Sequence, residues 1–220
     1  MKKLLYFLCF MTHLASAMDW SIINNDDVDQ FKTLVDQNKT VLSQRDPKCN
    51  NPIIHYAAGM GAVKILTFLL DTNPQLASTV SDQNSIPFTF IFVGATNFEA
   101  NIIKQQARYE FGRRIMDLNV ITVTDGNGRR VNHMWPQPDP DAVAQRRANY
   151  KKAIDLFIAK GAPIEIPNTQ GFASWRKIVS KSPEDSIPAF IKELTNHAVT
   201  SLEKIDSNNN NKTIVNEGNQ

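Results

Sequence analysis

The sequence predicts a mainly α fold: a solenoid of about four helix-turn-helix units with an inserted β-hairpin. Three observations carry this. First, Pro52-Ile53-Ile54-His55-Tyr56-Ala57-Ala58-Gly59-Met60-Gly61 runs directly into Ala62-Val63-Lys64-Ile65-Leu66-Thr67-Phe68-Leu69-Leu70. Two apolar helical stretches flank Gly61, which can take φ > 0 where the chain turns back. Small Ala57 and Ala58 let neighbouring helices approach closely. Second, the pattern recurs. Asp82-Gln83-Asn84-Ser85-Ile86-Pro87-Phe88 repeats the turn and helix start around Asn50 to Ile54, with Ile54 and Phe88 34 residues apart. Third, Ala153-Ile154-Asp155-Leu156-Phe157-Ile158-Ala159-Lys160-Gly161-Ala162 supplies another second helix, and Asn168-Thr169-Gln170-Gly171-Phe172 the next turn.

This pattern resembles the ankyrin repeat, whose first helix opens T-P-L-H-x-A and whose unit is ~33 residues long. Ile54-His55-Tyr56-Ala57-Ala58 stands for L-H-x-A-A, Gly61 for the glycine between the helices, and Leu69-Leu70 for the paired leucines of the second helix. The motifs are degraded: one unit carries the His, and Ala173-Ser174 replaces Thr-Pro in the last. The resemblance implies a structural His55, hydrogen-bonded across to the neighbouring turn, and structural glycines at Gly61, Gly161 and Gly171. It also implies a concave face used for binding other proteins.

The elements follow in order. Lys2-Lys3, the apolar run Leu4 to Met11 and Ala15-Ser16-Ala17 form the three parts of a signal peptide, 1–17, cleaved before Met18. The apolar run is shorter than the ~20 residues that span a bilayer. The repeat domain is expected over 18–182. Trp20, Ile22, Ile23, Phe31, Leu34 and Val35 supply the first unit's apolar face. The third unit is interrupted by ~54 residues beyond one repeat, over about 94–150. Within it, Phe98 to Asn119 is expected to be helical. Two strands, 120–124 and 129–135, flank the turn Asp125-Gly126-Asn127-Gly128, whose residues tolerate φ > 0. Pro136, Pro138 and Pro140 keep the next segment extended, and Asp141 is expected to cap the following helix. A C-terminal capping helix is expected over 183–205; Pro188 fits poorly inside it, so the helix either starts near Ser186 or kinks at Pro188. A disordered Asn-rich tail, 206–220, completes the chain.

Composition narrows the function. The two lysines of the leader account for the whole +2 charge, so residues 18–220 are neutral overall and carry no global footprint for nucleic acid. Cys49 is the single cysteine after the leader, so no intramolecular disulfide forms; this favours bacterial export, periplasmic or secreted. Asn38-Lys39-Thr40 and Asn211-Lys212-Thr213 match the glycosylation sequon, which has no meaning in that setting. H-E-x-x-H, C-x-x-C, G-x-S-x-G and Walker patterns are absent. A Cys49–His55 pair lacks a third, orienting group. His133 with Asp139 and Asp141 has metal-binding side chains on a segment whose prolines splay them apart. Asp206, Asn208, Asn210 and Glu217 match an EF-hand loop in part, without its glycine or exiting helix.

Basic residues outnumber acidic ones in the insertion. Arg129 and Arg130 lie beside the expected hairpin tip, and Tyr109, His133 and Trp135 are candidate anchors for a partner. The expected function is an exported, non-enzymatic, monomeric interaction module, with no cofactor, no metal, no membrane contact after leader removal and no catalytic residue. Its partner is another protein with an acidic surface, held on the concave face and the hairpin, as a host-directed bacterial effector would hold one. The alternative is an exported enzyme or effector whose activity lies in the insertion.

Overall fold

The structure, a computed structural model, describes residues 18–117, 123–124, 130–131, 136–165, 175–176 and 187–217. The leader 1–17 and most of the expected hairpin lie outside them. The chain is mainly α. We label the helices α1 (Ser21–Asn24), α2 (Val28–Gln37), α3 (Ile53–Met60), α4 (Val63–Thr72), α5 (Pro87–Asp117), α6 (Pro140–Ala159) and α7 (Ala189–Glu217). Short 3₁₀ turns, Lys39–Ser43 and Pro74–Ser78, follow α2 and α4. Strands β1 (Val123–Thr124) and β2 (Arg130–Val131) pair antiparallel in the register Val123↔Val131 and Thr124↔Arg130. They are two residues long each, and 125–129 between them lie outside the described residues.

The helices form two layers: α1, α3 and α5 stack as one, α2, α4 and α6 as the other, and α7 packs on α5 and α6. The local backbone repeats with them. Asp26 (φ 53°) and Gly61 (φ 60°) occupy the left-handed region between the two helices of successive units. Asn38 and Asn73 each accept a backbone N–H, from Thr40 and Gln75, to start the 3₁₀ turn. Both pairs are 35 residues apart, and so are Pro52 and Pro87 at the starts of α3 and α5. The helix register is therefore 35 residues, one more than the 34 expected. The extra residue lies between Asn84 and Pro87, because Asn50 (φ 55°) and Asn84 (φ 54°) are themselves 34 apart.

Asp26 shows why a carboxylate sits where glycine would be easier. Its backbone tolerates the left-handed region as Asp can. Its Oδ2 and Oδ1 accept the N–H groups of Lys64 and Ile65, each at 3.0 Å. These belong to the first turn of α4, whose own N-cap, Ala62, offers no side-chain acceptor. One unit thus caps a helix of the next, satisfying donors that a helix start leaves open.

Two expectations about the insertion are corrected. Where the second unit has Gly61, the third has Thr96, 35 residues on, with no residue suited to stopping a helix. So α5 starts at Pro87 and runs unbroken to Asp117, instead of beginning near Phe98. Likewise α6 starts at Pro140, capped by Asp139, whose side chain accepts the N–H of Asp141. Asp141 lies in the first turn and is not the cap. The described parts of 94–150 are thus largely the lengthened helices of one unit, not a separate loop. Ala95 and Tyr150, at its expected edges, belong to the core.

The core runs through both layers. Ile22, Ile23, Phe31 and Val35 bury the first unit's face, with Trp20 and Leu34 packed against it. Ile54, Leu66, Leu69 and Leu70 bury the second. Trp175 is fully buried, stacked on Phe92 with ring centroids 4.9 Å apart and 6.2 Å from the Phe88 ring. At the C-terminus, α7 begins after Pro188 and its backbone stays helical to Glu217. The expected capping helix is thus present from Ala189, with 183–186 outside the described residues, and its backbone takes in most of the expected tail. Phe190, Ile191, Leu194 and Ala198 form its buried stripe.

Candidate functional site

A groove of about 450 Å³ runs along α3 and α5. The turn Asp46–Asn51 forms one end, and Arg146 and Tyr150 of α6 line it with them. From α3 come His55, Tyr56, Gly59 and Met60; from α5 come Phe90, Val93, Gly94, Asn97, Phe98 and Asn101. The α5 residues recur every three or four positions, as one helical face requires.

Tight packing fixes the groove floor. A Cβ on Gly94 would fall on the Gly59 carbonyl oxygen, so α5 crosses α3 at backbone contact. The Tyr150 hydroxyl donates to the same oxygen at 3.0 Å, and burial pushes its pKa up to about 12. Arg146 donates from Nη1 to Met60 O and from Nη2 to Asn24 O (3.0 Å). It thereby closes the open C-terminal carbonyls of α3 and α1 with a cation, which the helix dipole favours.

The turn end is held as firmly. Asp46 accepts the backbone N–H groups of Lys48 (3.1 Å) and Cys49 (2.9 Å). Arg45 donates to Asp82 at 2.9 Å and to Asn50 O at 2.7 Å, while Asn50 Nδ2 donates to the other Asp82 oxygen at 2.6 Å. Fully buried His55 donates from Nε2 to Ser85 O at 2.9 Å and meets the Phe90 ring edge-on. Phe90 occupies the position of His55 one unit later. Burial, the largest influence, lowers the His55 pKa to about 4; the bond to Ser85 opposes this, and the Arg45 charge adds to it.

The sequence-derived candidates are scattered. His55 and Gly61 lie in the stacked units; Gly161 takes φ 64° after α6. Tyr109 is half-buried on the outer part of α5 and does not line the groove. The backbone of Arg130 lies in β2. Arg129, His133, Trp135 and Gly171 lie outside the described residues.

The basic patch expected of the insertion is reduced by internal pairing. Arg147 makes a two-pronged bond to Glu99, at 2.8 and 2.7 Å, and covers the Phe190 ring at 5.3 Å. Lys151 pairs with Glu193, whereas Arg146 bonds only neutral backbone carbonyls and keeps its charge. Glu99 is 3% exposed. The Glu99 bonds are the first cause of the raised Arg147 pKa. Removing one partner of such a pair strands a buried charge. With the Arg147 side chain 40% exposed, solvent screens part of the effect. Arg147→Ala is expected to cost about 2 kcal/mol in urea unfolding, and Glu99→Gln less, since a neutral amide can keep one bond to the guanidinium.

The chemistry of catalysis finds little footing among the described residues. The Cys49 thiol is exposed, but His55 donates its Nε2–H to Ser85 O, and burial lowers its pKa to about 4, which makes it a weak base for a thiol proton. His197 and Ser201 both bond to Oδ1 of Asp155, at 2.9 and 3.1 Å. This places a carboxylate between serine and imidazole, where nucleophilic catalysis needs the imidazole in the middle. Among the described residues, no cluster of three metal-binding side chains occurs, and no helix is long and apolar enough to cross a membrane. No family model matches the chain, and no curated protein matches it.

The groove escaped sequence reading. Its residues come from three separated segments, and Gly59 and Gly94 look like ordinary small residues until their 35-residue spacing is aligned. That alignment was the available signal.

Proposed function

We propose that this chain is an exported, non-enzymatic protein of ankyrin type that binds another protein through its concave face, with the inserted hairpin as a second contact. The observation that carries the reading is the groove on α3 and α5, floored by backbone-to-backbone packing and open to a partner along its length. A rigid floor lowers the entropy that association must overcome. The His55 bond to the next unit's turn agrees with the ankyrin resemblance. The leader-like segment 1–17 supports export.

The test is partner capture with residues 18–220, followed by titration of the captured protein. Arg129→Glu with Arg130→Glu is expected to weaken binding at least tenfold without lowering the melting temperature. Wild-type affinity should fall with added salt, because exposed charges are screened beyond ~8 Å at physiological ionic strength. Normal binding by the double variant removes the hairpin from the reading and leaves the concave face. Failure to capture any partner that competes for the groove overturns the reading itself.

A further inference from the structure

The groove's polar side chains are spaced for a particular kind of partner. Asn97 and Asn101 lie one helical turn apart on the groove face of α5. Both are exposed, and neither side chain has a hydrogen bond within the described residues. A rise of four residues along a helix is about 6 Å. Two residues of extended chain span about 6.7 Å. Each carboxamide offers one acceptor and two donors. Two of them at this spacing meet alternate peptide units of an extended strand lying along α5.

The rest of the groove supplies selectivity. Tyr56, Met60, Phe90, Val93 and Phe98 make an apolar middle. Lys48 stands at the turn end and Arg146 at the other. Neither has an ion pair within the described residues; Arg146 meets carbonyl oxygens alone. Asp46 is the one acidic lining residue, and its oxygens are taken by the amides of Lys48 and Cys49. An apolar trough with a cation at each end is complementary to an apolar side chain flanked by carboxylates.

We propose that the groove is a docking site for an extended, acidic peptide segment of another protein, its backbone held by Asn97 and Asn101 and its apolar side chain seated between Tyr56, Met60 and Phe98. The inference rests on the concave-face part of the proposed function and names the partner's chemistry. Proline at the residues facing the two asparagines is disfavoured, since it lacks the amide proton.

A phage library of random octapeptides, selected on residues 18–220, tests this. Expected is enrichment of sequences with an aliphatic or aromatic residue between Asp or Glu. A synthetic winner should bind at least tenfold tighter than its Lys-flanked counterpart by fluorescence anisotropy. N97A/N101A should weaken it about tenfold, the loss of two hydrogen bonds of ordinary strength. Both positions are exposed and helical, and alanine favours a helix, so the variant should fold with an unchanged or higher melting temperature. No enrichment, basic enrichment, or winners that bind N97A/N101A equally well each overturn the inference. A protein partner captured equally by wild type and N97A/N101A overturns it too, while leaving the broader reading in place.

Discussion

Gly94→Ala should destabilise the protein by at least about 4 kcal/mol and prevent folding in a marginal background. An exposed mid-helix glycine usually gains about 1 kcal/mol on becoming alanine. Position 94 reverses the sign. The new Cβ would land on the Gly59 carbonyl oxygen, 2.5 Å from its carbon and 2.7 Å from its Cα. These are backbone atoms of α3, and no rotamer change moves them aside. Relief requires α5 to lift off α3, which uncovers Phe92, Ala95 and the Trp175 stack and breaks the Tyr150 bond to Gly59 O. Gly59→Ala is the internal control. A Cβ there would meet Phe90 O at 3.6 Å, an ordinary contact. It should be neutral or mildly stabilising. Equal melting temperatures for the two variants would mean that the helices do not cross at backbone contact.

How much of this was legible in the sequence follows from how local each signal was. Helix pairs around Gly61, the apolar face of the first unit and the buried His55 are encoded within a few residues, and could be read. The 35-residue helix register could not, because an additional residue between Asn84 and Pro87 shifts the helix relative to its turn. The length of α5 was missed because the insertion was taken to begin at about 94, which lies inside this helix. Held against Gly59, Gly94 is a packing residue, and the missing stop at Thr96 lets the helix continue. Pro140 was expected within the extended segment; it is instead the first residue of α6, and the cap belongs to Asp139, the residue that the proline leaves at the helix entrance.

The groove was less legible than the fold. Its parts are separated by up to about a hundred residues, and no motif links Asp46, Asn97 and Arg146. Charge counting misled as well. Arg147 and Lys151 contribute to the basic excess of the insertion, yet each is directed at a carboxylate of this chain. A net charge along a segment does not say which charges remain available. The helical register does: Arg147 falls opposite Glu99 only once α5 and α6 are known to run side by side.

His55 gives the second large effect, a loss of stability in acid. Its folded pKa is about 4, against an ordinary value of 6.5. Burial disfavours the charged ring, and Arg45 adds repulsion; the Nε2 bond to Ser85 O opposes both without cancelling them. Between those two values the unfolded chain binds a proton that the folded chain refuses. Stability from this group is therefore fully present above about pH 6.5 and is lost as pH falls toward 4. The difference amounts to ~3 kcal/mol over that window. Carboxylates titrate in its lower part, so a reference is needed. His55→Phe provides one, since Phe90 fills the same position one unit later, within contact of His55 itself. Urea unfolding of wild type should lose about 3 kcal/mol more than His55→Phe between pH 7 and pH 4. At pH 7 the variant starts lower, by about 1–3 kcal/mol, for the bond to the next turn that it cannot make. Parallel curves for the two proteins would mean that His55 reaches water in the folded state and is not the buried link between successive turns.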